Sequence, residues 1–266
     1  MKESQPSGGG QPASAASAAA TGEKSQALQC ADVMAYRGGV LALSGVSVRV
    51  SAGEAVGLIG PNGAGKTTLL DVLSGFLTPQ AGSVLIDGVD VTGLVGARLA
   101  RRGVYRTFQG SRLFASLSVE ENIEVSALSS GAKSGTAARR AEELMKHLKL
   151  TSLRGRRCQG LPQGVAQRIV LARALATQSR FVLLDEPVAG LSDPEADEFQ
   201  ALVHGARDDG AGVLVVEHHI SFVEAVCDRA YVLVEGAVVF EGSVQETFAN
   251  ADVQAAYLGV TEVGAA

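Results

Sequence analysis

The stretch Gly60-Pro61-Asn62-Gly63-Ala64-Gly65-Lys66-Thr67-Thr68 joins an apolar strand, Ala55 to Ile59, to a helix that opens at Lys66. Glycines in that setting let successive backbone N–H groups turn inward on a polyphosphate, at a helix N-terminus that already favours anions. This is the P-loop pattern in the strand-to-helix context it requires. Lys66 would bridge the β- and γ-phosphates of ATP, and the Thr67 hydroxyl would be offered to Mg²⁺. The flanking residues from Gly60 to Thr68 would supply the rest of the phosphate cradle.

A second group with chemical potential is FVLLDEP, Phe181 to Pro187, four apolar residues followed by two carboxylates. Strand C-termini are where α/β sheets place ligands. Asp185 would orient Mg²⁺ through its water, and Glu186 would polarise the attacking water as general base. Alone, the pair also reads as a solvated acidic strand end; the upstream P-loop favours the catalytic reading. His218 and His219 in VVEHH would point in different directions if the strand extends that far, which argues against a two-histidine metal site. His147 and His204 read as surface residues.

These groups need a scaffold of parallel strands. Alternating VSVRV, a turn at Ser51 to Gly53, and the run Ala55 to Ile59 predict strands around the P-loop. Val84 to Ile86 and Val89 to Val91 flank an Asp87-Gly88 hairpin signal. From about Ser118 to Thr177 the strand signal gives way to a helical lobe, entered through the capping-box pair Ser118 and Glu121. Strands return at Phe181 to Leu184 and Val213 to Val216, separated by a helix opening at Asp193, Pro194 and Glu195 with an N-cap and an N1 proline. A hairpin about Glu235-Gly236 and a capping box at Ser243 and Glu246 follow. Strands separated by helices predict a parallel sheet. Residues 1–25, rich in Ser, Ala, Gly and Gln, offer almost nothing to bury and read as a disordered tail, with one domain over residues 26–262.

Composition narrows the function classes. The 266 residues are 46% hydrophobic and 5% aromatic with no Trp, which suits a core of Val, Leu, Ala and Ile between helices. A formal charge of -5 and the lack of a basic stripe argue against nucleic-acid binding; Arg98, Arg101, Arg102 and Arg154, Arg156, Arg157 read as solvated faces or partner contacts. Three widely spaced cysteines fit neither a disulfide framework nor a metal pattern, so a reducing compartment is expected. No apolar run reaches the roughly 18 residues of a membrane helix, and a cytoplasmic chain is expected.

In order along the chain, the P-loop, Gln109 after a strand, LPQGVAQ, LLDEP and His218 after a strand resemble the ABC ATPase family over about Ala27 to Leu258. The resemblance implies an α/β P-loop NTPase core with a parallel sheet, an antiparallel β subdomain and an inserted helical lobe. It further implies that Tyr36 stacks on adenine, although a core tyrosine reads equally well. Gln109 would touch Mg²⁺ and link the site to the helical lobe, and His218 would contact the γ-phosphate.

The family's LSGGQ signature falls on Leu161 to Val165, where Leu161 and Gly164 match and Pro162 replaces the serine. In the family this segment completes the ATP site of the opposite subunit, so Gly164 would face the partner's nucleotide. The following SALD-like element also departs, reading Ala189, Gly190, Leu191, Ser192 with Asp193 one place late. RTFQ (Arg106 to Gln109), RLF (Arg112 to Phe114) and AYLG (Ala256 to Gly259) resemble the branched-chain amino-acid importer branch. That branch implies a second ATPase subunit, two permease subunits and an external solute-binding protein, with this chain peripheral on the inner face of the cell membrane. A soluble ABC ATPase acting on DNA or ribosomes, and a nucleotide sensor that barely turns over, are the rival readings.

Overall fold

A computed structural model describes residues 26–108 and 113–258. Its elements in chain order are β1 (Ala27–Arg37), β2 (Val40–Ser51), β3 (Ala55–Ile59), α1 (Lys66–Leu73), β4 (Ala81–Ile86), β5 (Val89–Asp90), α2 (Gly96–Arg101) and β6 (Val104–Arg106). Then come α3 (Val119–Ser129), α4 (Ser134–His147), a 3-10 turn at Thr151–Leu153, α5 (Gln163–Ala176), β7 (Phe181–Asp185), α6 (Asp193–Asp208) and β8 (Gly212–Val216). The chain continues through α7 (Ile220–Val226), β9 (Arg229–Val234), β10 (Ala237–Ser243), α8 (Val244–Ala249) and α9 (Ala251–Leu258).

The strands form two sheets. One is antiparallel, in the order β2-β1-β4-β5; the other runs β10-β9-β3-β8-β7-β6, parallel throughout except for the β10 edge. Every residue of β3, β7 and β8 is buried, because the parallel sheet is covered on both faces. Val56, Leu58, Leu183 and Leu214 pack toward α1 and the antiparallel sheet, whereas Val182, Leu184, Val213 and Val215 pack toward the helices on the other side. That division follows the two-residue period of a strand.

Between β6 and β7 the chain leaves the sheet as α3, α4 and α5, which pack on one another. Ser118 caps α3 reciprocally with Glu121, and Ser243 caps α8 with Glu246, each from the local spacing seen in the sequence. The cap of α6 differs from the expectation. Ser192, not Asp193, is the N-cap, and Pro194 is therefore the second helical residue. The reason is Glu195, whose carboxylate accepts from the Ser192 N–H at 3.0 Å and its hydroxyl at 2.7 Å. Cys30, Cys158 and Cys227 are all buried free thiols. Burial pushes Cys30 up to about 12 and raises the other two as well.

Candidate active site

The loop between β3 and α1 is clasped by backbone from two directions. Gly60 has φ +151°, and a Cβ there would stand 2.0 Å from the Leu233 carbonyl oxygen of β9. Gly65, the N-cap of α1, has φ +106°, and its Cβ would stand 2.5 Å from the Ala42 carbonyl oxygen of β2. Only glycine permits both the left-handed backbone and the close approach. The Gly236 N–H closes the clasp on the Ala64 carbonyl at 2.9 Å.

A cleft of about 520 Å³ opens over this loop, lined among others by Asn62, Lys66, Thr67, Thr68, Glu186 and His218. The Lys66 ammonium lies folded along the loop, donating to the Gly60 carbonyl at 2.6 Å and the Pro61 carbonyl at 2.9 Å. Burial pushes its pKa below the usual lysine range, while the Glu186 and Asp185 carboxylates pull the other way. A bound polyphosphate would replace two neutral acceptors with anionic ones. A larger recess of about 800 Å³ lies between α4 and α6. It contains none of the phosphate-binding loop, and the chemistry favours the smaller cleft.

The two acids sit where β7 ends. Asp185 is still in register with Val216 of β8, and its N–H donates to the Thr107 hydroxyl at 3.0 Å. Its carboxylate accepts from Arg106 Nη2 at 3.1 Å, and the other Arg106 nitrogen, Nη1, pairs with Asp71 of α1. Arg37 also donates to Asp71, at 2.7 Å, so a line of alternating charges runs from the cleft mouth to the end of β7. Burial raises the Asp185 pKa, and Arg106 opposes that rise. Glu186 then adopts φ +49°, a left-handed conformation uncommon for a residue with a side chain. Its backbone leaves the sheet there, and its carboxylate meets His218 across 3.2 Å, Oε1 to Nε2.

Among the other candidates, Tyr36 is 43% exposed on β1, which rules out a core role, and it is not among the residues lining the cleft. Val40 and Leu41 supply the apolar lining there. Gln109 lies outside the described residues, as do Arg112 and Gly259. His147 is exposed and His204 half-buried.

Gly164 is buried in the first turn of α5, away from the Lys66 cleft, and a Cβ on it would fall 2.1 Å from Glu195 Oε1. Its side-chain direction therefore points into α6 of the same chain. Pro162 caps α5 without a side-chain hydrogen bond, and Gln163 Nε2 donates to the Ala189 carbonyl at 2.7 Å. The signature segment and the loop after the two acids are thus joined.

Sequence reasoning passed over Arg106 and Asp71 as members of the site. Arg106 was visible only as part of RTFQ, and nothing local marks it as the partner of an acid 79 residues away.

Loop, acids and histidine at the C-terminal edge of a parallel sheet define a nucleotide-binding ATPase cassette of the P-loop class. Residues 43–189 match the ABC transporter family, and the chain belongs to it. It is 37% identical over 238 residues to the high-affinity branched-chain amino acid transport ATP-binding protein BraF of Pseudomonas aeruginosa, a match spanning 84% of this chain and 93% of that protein. It is also 37% identical over 215 residues to the lipopolysaccharide export system ATP-binding protein LptB of Escherichia coli, spanning 80% of this chain and 89% of that one. Among solved structures, the ADP conformation of an ABC-transporter cassette superposes with a TM-score of 0.79 at 28% identity, covering 88% of this chain and 99% of the other. The chain is an ATP-binding subunit of an ABC transporter, and cassettes of this family hydrolyse ATP to power transport. They work as dimers with transmembrane permease subunits. No helix among the described residues is long and apolar enough to cross a membrane.

Proposed function

We propose that this chain powers an importer of branched-chain or related amino acids from the inner face of the cell membrane, with Glu186 as the general base. The observation that carries the catalytic assignment is the 3.2 Å approach of His218 Nε2 to Glu186 Oε1 beside the loop that holds Lys66. In this reading the loop from Gly60 to Thr68 binds the ATP phosphates, and Lys66 swings from its two carbonyl partners to the β- and γ-oxygens. Glu186 takes the proton of the attacking water as the bond between the γ-phosphorus and the ADP oxygen breaks, while His218 orients both base and γ-phosphate. Tyr36, exposed next to the cleft-lining Arg37, would offer its ring to the adenine.

Thr67 lines the cleft and Asp185 lies close enough to Lys66 to act on its charge, so their hydroxyl and carboxylate oxygens, of the kind Mg²⁺ prefers, fit that ion; Gln109, outside the described residues, would add an amide oxygen. When bound, Mg²⁺ would neutralise charge developing on the phosphates. Gly164 and the start of α5 would complete the nucleotide site of a second ATPase subunit. Permease subunits, with an external solute-binding protein, would deliver the solute, and no nucleic acid takes part.

The similarity to BraF supports the solute class; the equal identity to LptB supports a second reading, a cassette that drives export of a lipid. The test is reconstitution of the chain with its co-purifying membrane proteins in proteoliposomes. ATP-dependent uptake of leucine, isoleucine or valine is expected, and Glu186→Gln should abolish it while ATP still binds. ATPase activity stimulated by lipopolysaccharide, without amino-acid uptake, would establish the second reading instead. Turnover by Glu186→Gln at close to the wild-type rate would remove Glu186 as the base.

A further inference from the structure

Glu217 is the residue after β8, and it is 1% exposed, a carboxylate with almost no contact with water. Its two oxygens are used in different directions. Oε1 accepts from the Val188 N–H at 2.9 Å; Oε2 accepts from the His218 N–H at 2.9 Å and, at longer range, from the His219 N–H at 3.4 Å. The His219 ring, through Nδ1, also lies 3.3 Å from Oε2. Val188 stands two residues after Glu186, and His218 carries the ring that meets Glu186. A closed circuit results, running from Glu186 along the chain to Val188, across Glu217 to His218, and back through the ring to Glu186.

The need for such a group follows from the backbone. The Glu186 N–H makes the last bond to β8, donating to the Val216 carbonyl at 2.9 Å, before φ +49° turns the chain out of the sheet. The next available amide, at Val188, is buried and has no neighbouring strand to accept from it. On the other side, β8 has also ended, and the His218 N–H needs an acceptor. The two N–H groups are met by different oxygens of one side chain, a pairing that the two oxygens of a glutamate carboxylate supply and that an amide, with one oxygen and one NH₂ donor, does not reproduce. An apolar residue of similar volume would pack there without desolvating a charge, but it would leave both N–H groups unpaired.

We propose that Glu217 is a positioning residue for hydrolysis, holding the backbone of His218 and of the segment after Glu186 at a fixed separation so that ring and base meet. It is 1% exposed and does not line the cleft, so it acts through His218. This rests on the reading of Glu186 and His218 given above.

The experiment is a double-mutant cycle on the reconstituted complex, with Glu217→Gln, His218→Ala and the pair together, measuring ATP dissociation constant, KM, kcat and thermal unfolding of each. Glu217→Gln keeps the shape but converts one acceptor to a donor. The expected result is an ATP dissociation constant within two-fold of wild type and kcat reduced about ten-fold or more. The double variant should be no slower than His218→Ala alone, within about three-fold, because both changes disable the same contact. A purely structural role would lower the unfolding temperature while leaving kcat within two-fold in the folded protein, and that outcome overturns the inference. Multiplicative losses of kcat overturn it as well. If Glu217→Gln does not fold, Glu217→Asp takes its place in the cycle, with the same criteria. If neither folds, amide exchange of the wild-type complex decides: Val188 and His218 should gain protection together when ATP is added, and independent behaviour overturns the inference. A His218→Ala variant with unchanged kcat would instead defeat the reading of His218 itself, whatever Glu217 does.

Discussion

Arg106 Nη2 lies 3.1 Å from Asp185 Oδ2, so a guanidinium from β6 stands behind the acid at the end of β7. Both side chains are almost fully enclosed, at 3% and 7% exposure, which separates this pair from ordinary surface ion pairs. The geometry also leaves Arg106 Nε without an acceptor among the described residues, a local cost borne for the two contacts made by the terminal nitrogens.

Arg106→Gln should therefore destabilise the fold strongly, since it leaves the buried Asp185 without its cation and Asp71 with Arg37 alone. Breaking a buried pair by removing one partner costs about 3 to 5 kcal/mol. Urea unfolding of the free chain measures it, and a loss below about 1 kcal/mol would mean that water screens the pair.

Lys66→Ala should weaken ATP binding about ten-fold or more, because a charge-assisted contact to phosphate is worth roughly 1.5 to 3 kcal/mol. The free variant should remain folded, since Lys66 bonds only to the carbonyls of Gly60 and Pro61 among the contacts described. Nucleotide titration by fluorescence or calorimetry reads the change. An unaltered affinity would remove the loop as the phosphate cradle.

Gly164→Ala should lower stability although it adds a single methyl group, because that methyl falls 2.1 Å from Glu195 Oε1. Glu195 must then shift its carboxylate, weakening the bonds its other oxygen accepts from the Ser192 N–H and hydroxyl, at a cost of about 1 kcal/mol. Gly164→Asp should be worse, since its carboxylate is directed at another carboxylate within the same chain. Thermal unfolding of the two variants, with Glu195→Gln added to the second, checks this. If neither unfolding temperature moves, the close approach of α5 and α6 does not hold in solution.

Glu54 predicts a pH dependence. Burial pushes its pKa up, but the hydrogen bond and charge of Arg229, at 2.6 Å, with the Ser51 N–H, hold it below the usual glutamate range. A depressed carboxylate contributes stability that is present above the unfolded pKa, about 4.3, and is lost as pH falls through the lower folded value. Glu54→Gln should accordingly cost about 1 to 2 kcal/mol at pH 7, allowing for partial exposure. The gap between variant and wild type should narrow progressively as pH falls below the unfolded value. A gap that stays constant from pH 7 down to the lowest pH at which both proteins fold would assign the effect to packing.

The parts of the fold and site legible in the sequence are those whose physics is local. The phosphate-binding loop is a contiguous stretch between a strand and a helix, and the capping boxes at Ser118 and Ser243 need only a three-residue spacing. The same spacing, Ser192 to Glu195, was present at α6 but was overshadowed by the Asp193-Pro194 pair. Arg106 with Asp185, and Glu217 with Val188, are different in kind. They depend on which strands become neighbours and on where each leaves the sheet, and no periodicity reports that. Gly164 shows the same limit, because the motif identifies the glycine while only the fold reveals that its missing side chain makes room for Glu195.

The buried thiols have a practical consequence. Thiol reagents attack the thiolate, and Cys30, Cys158 and Cys227 are each both enclosed and held toward the neutral form. The chain is therefore a ready background for single-site labelling, without removal of native cysteines. A cysteine introduced at Pro162, on the exposed edge before α5, would react alone and could carry a spectroscopic probe. Distances between two such probes in an assembled complex would follow the approach of one cassette to the other in real time.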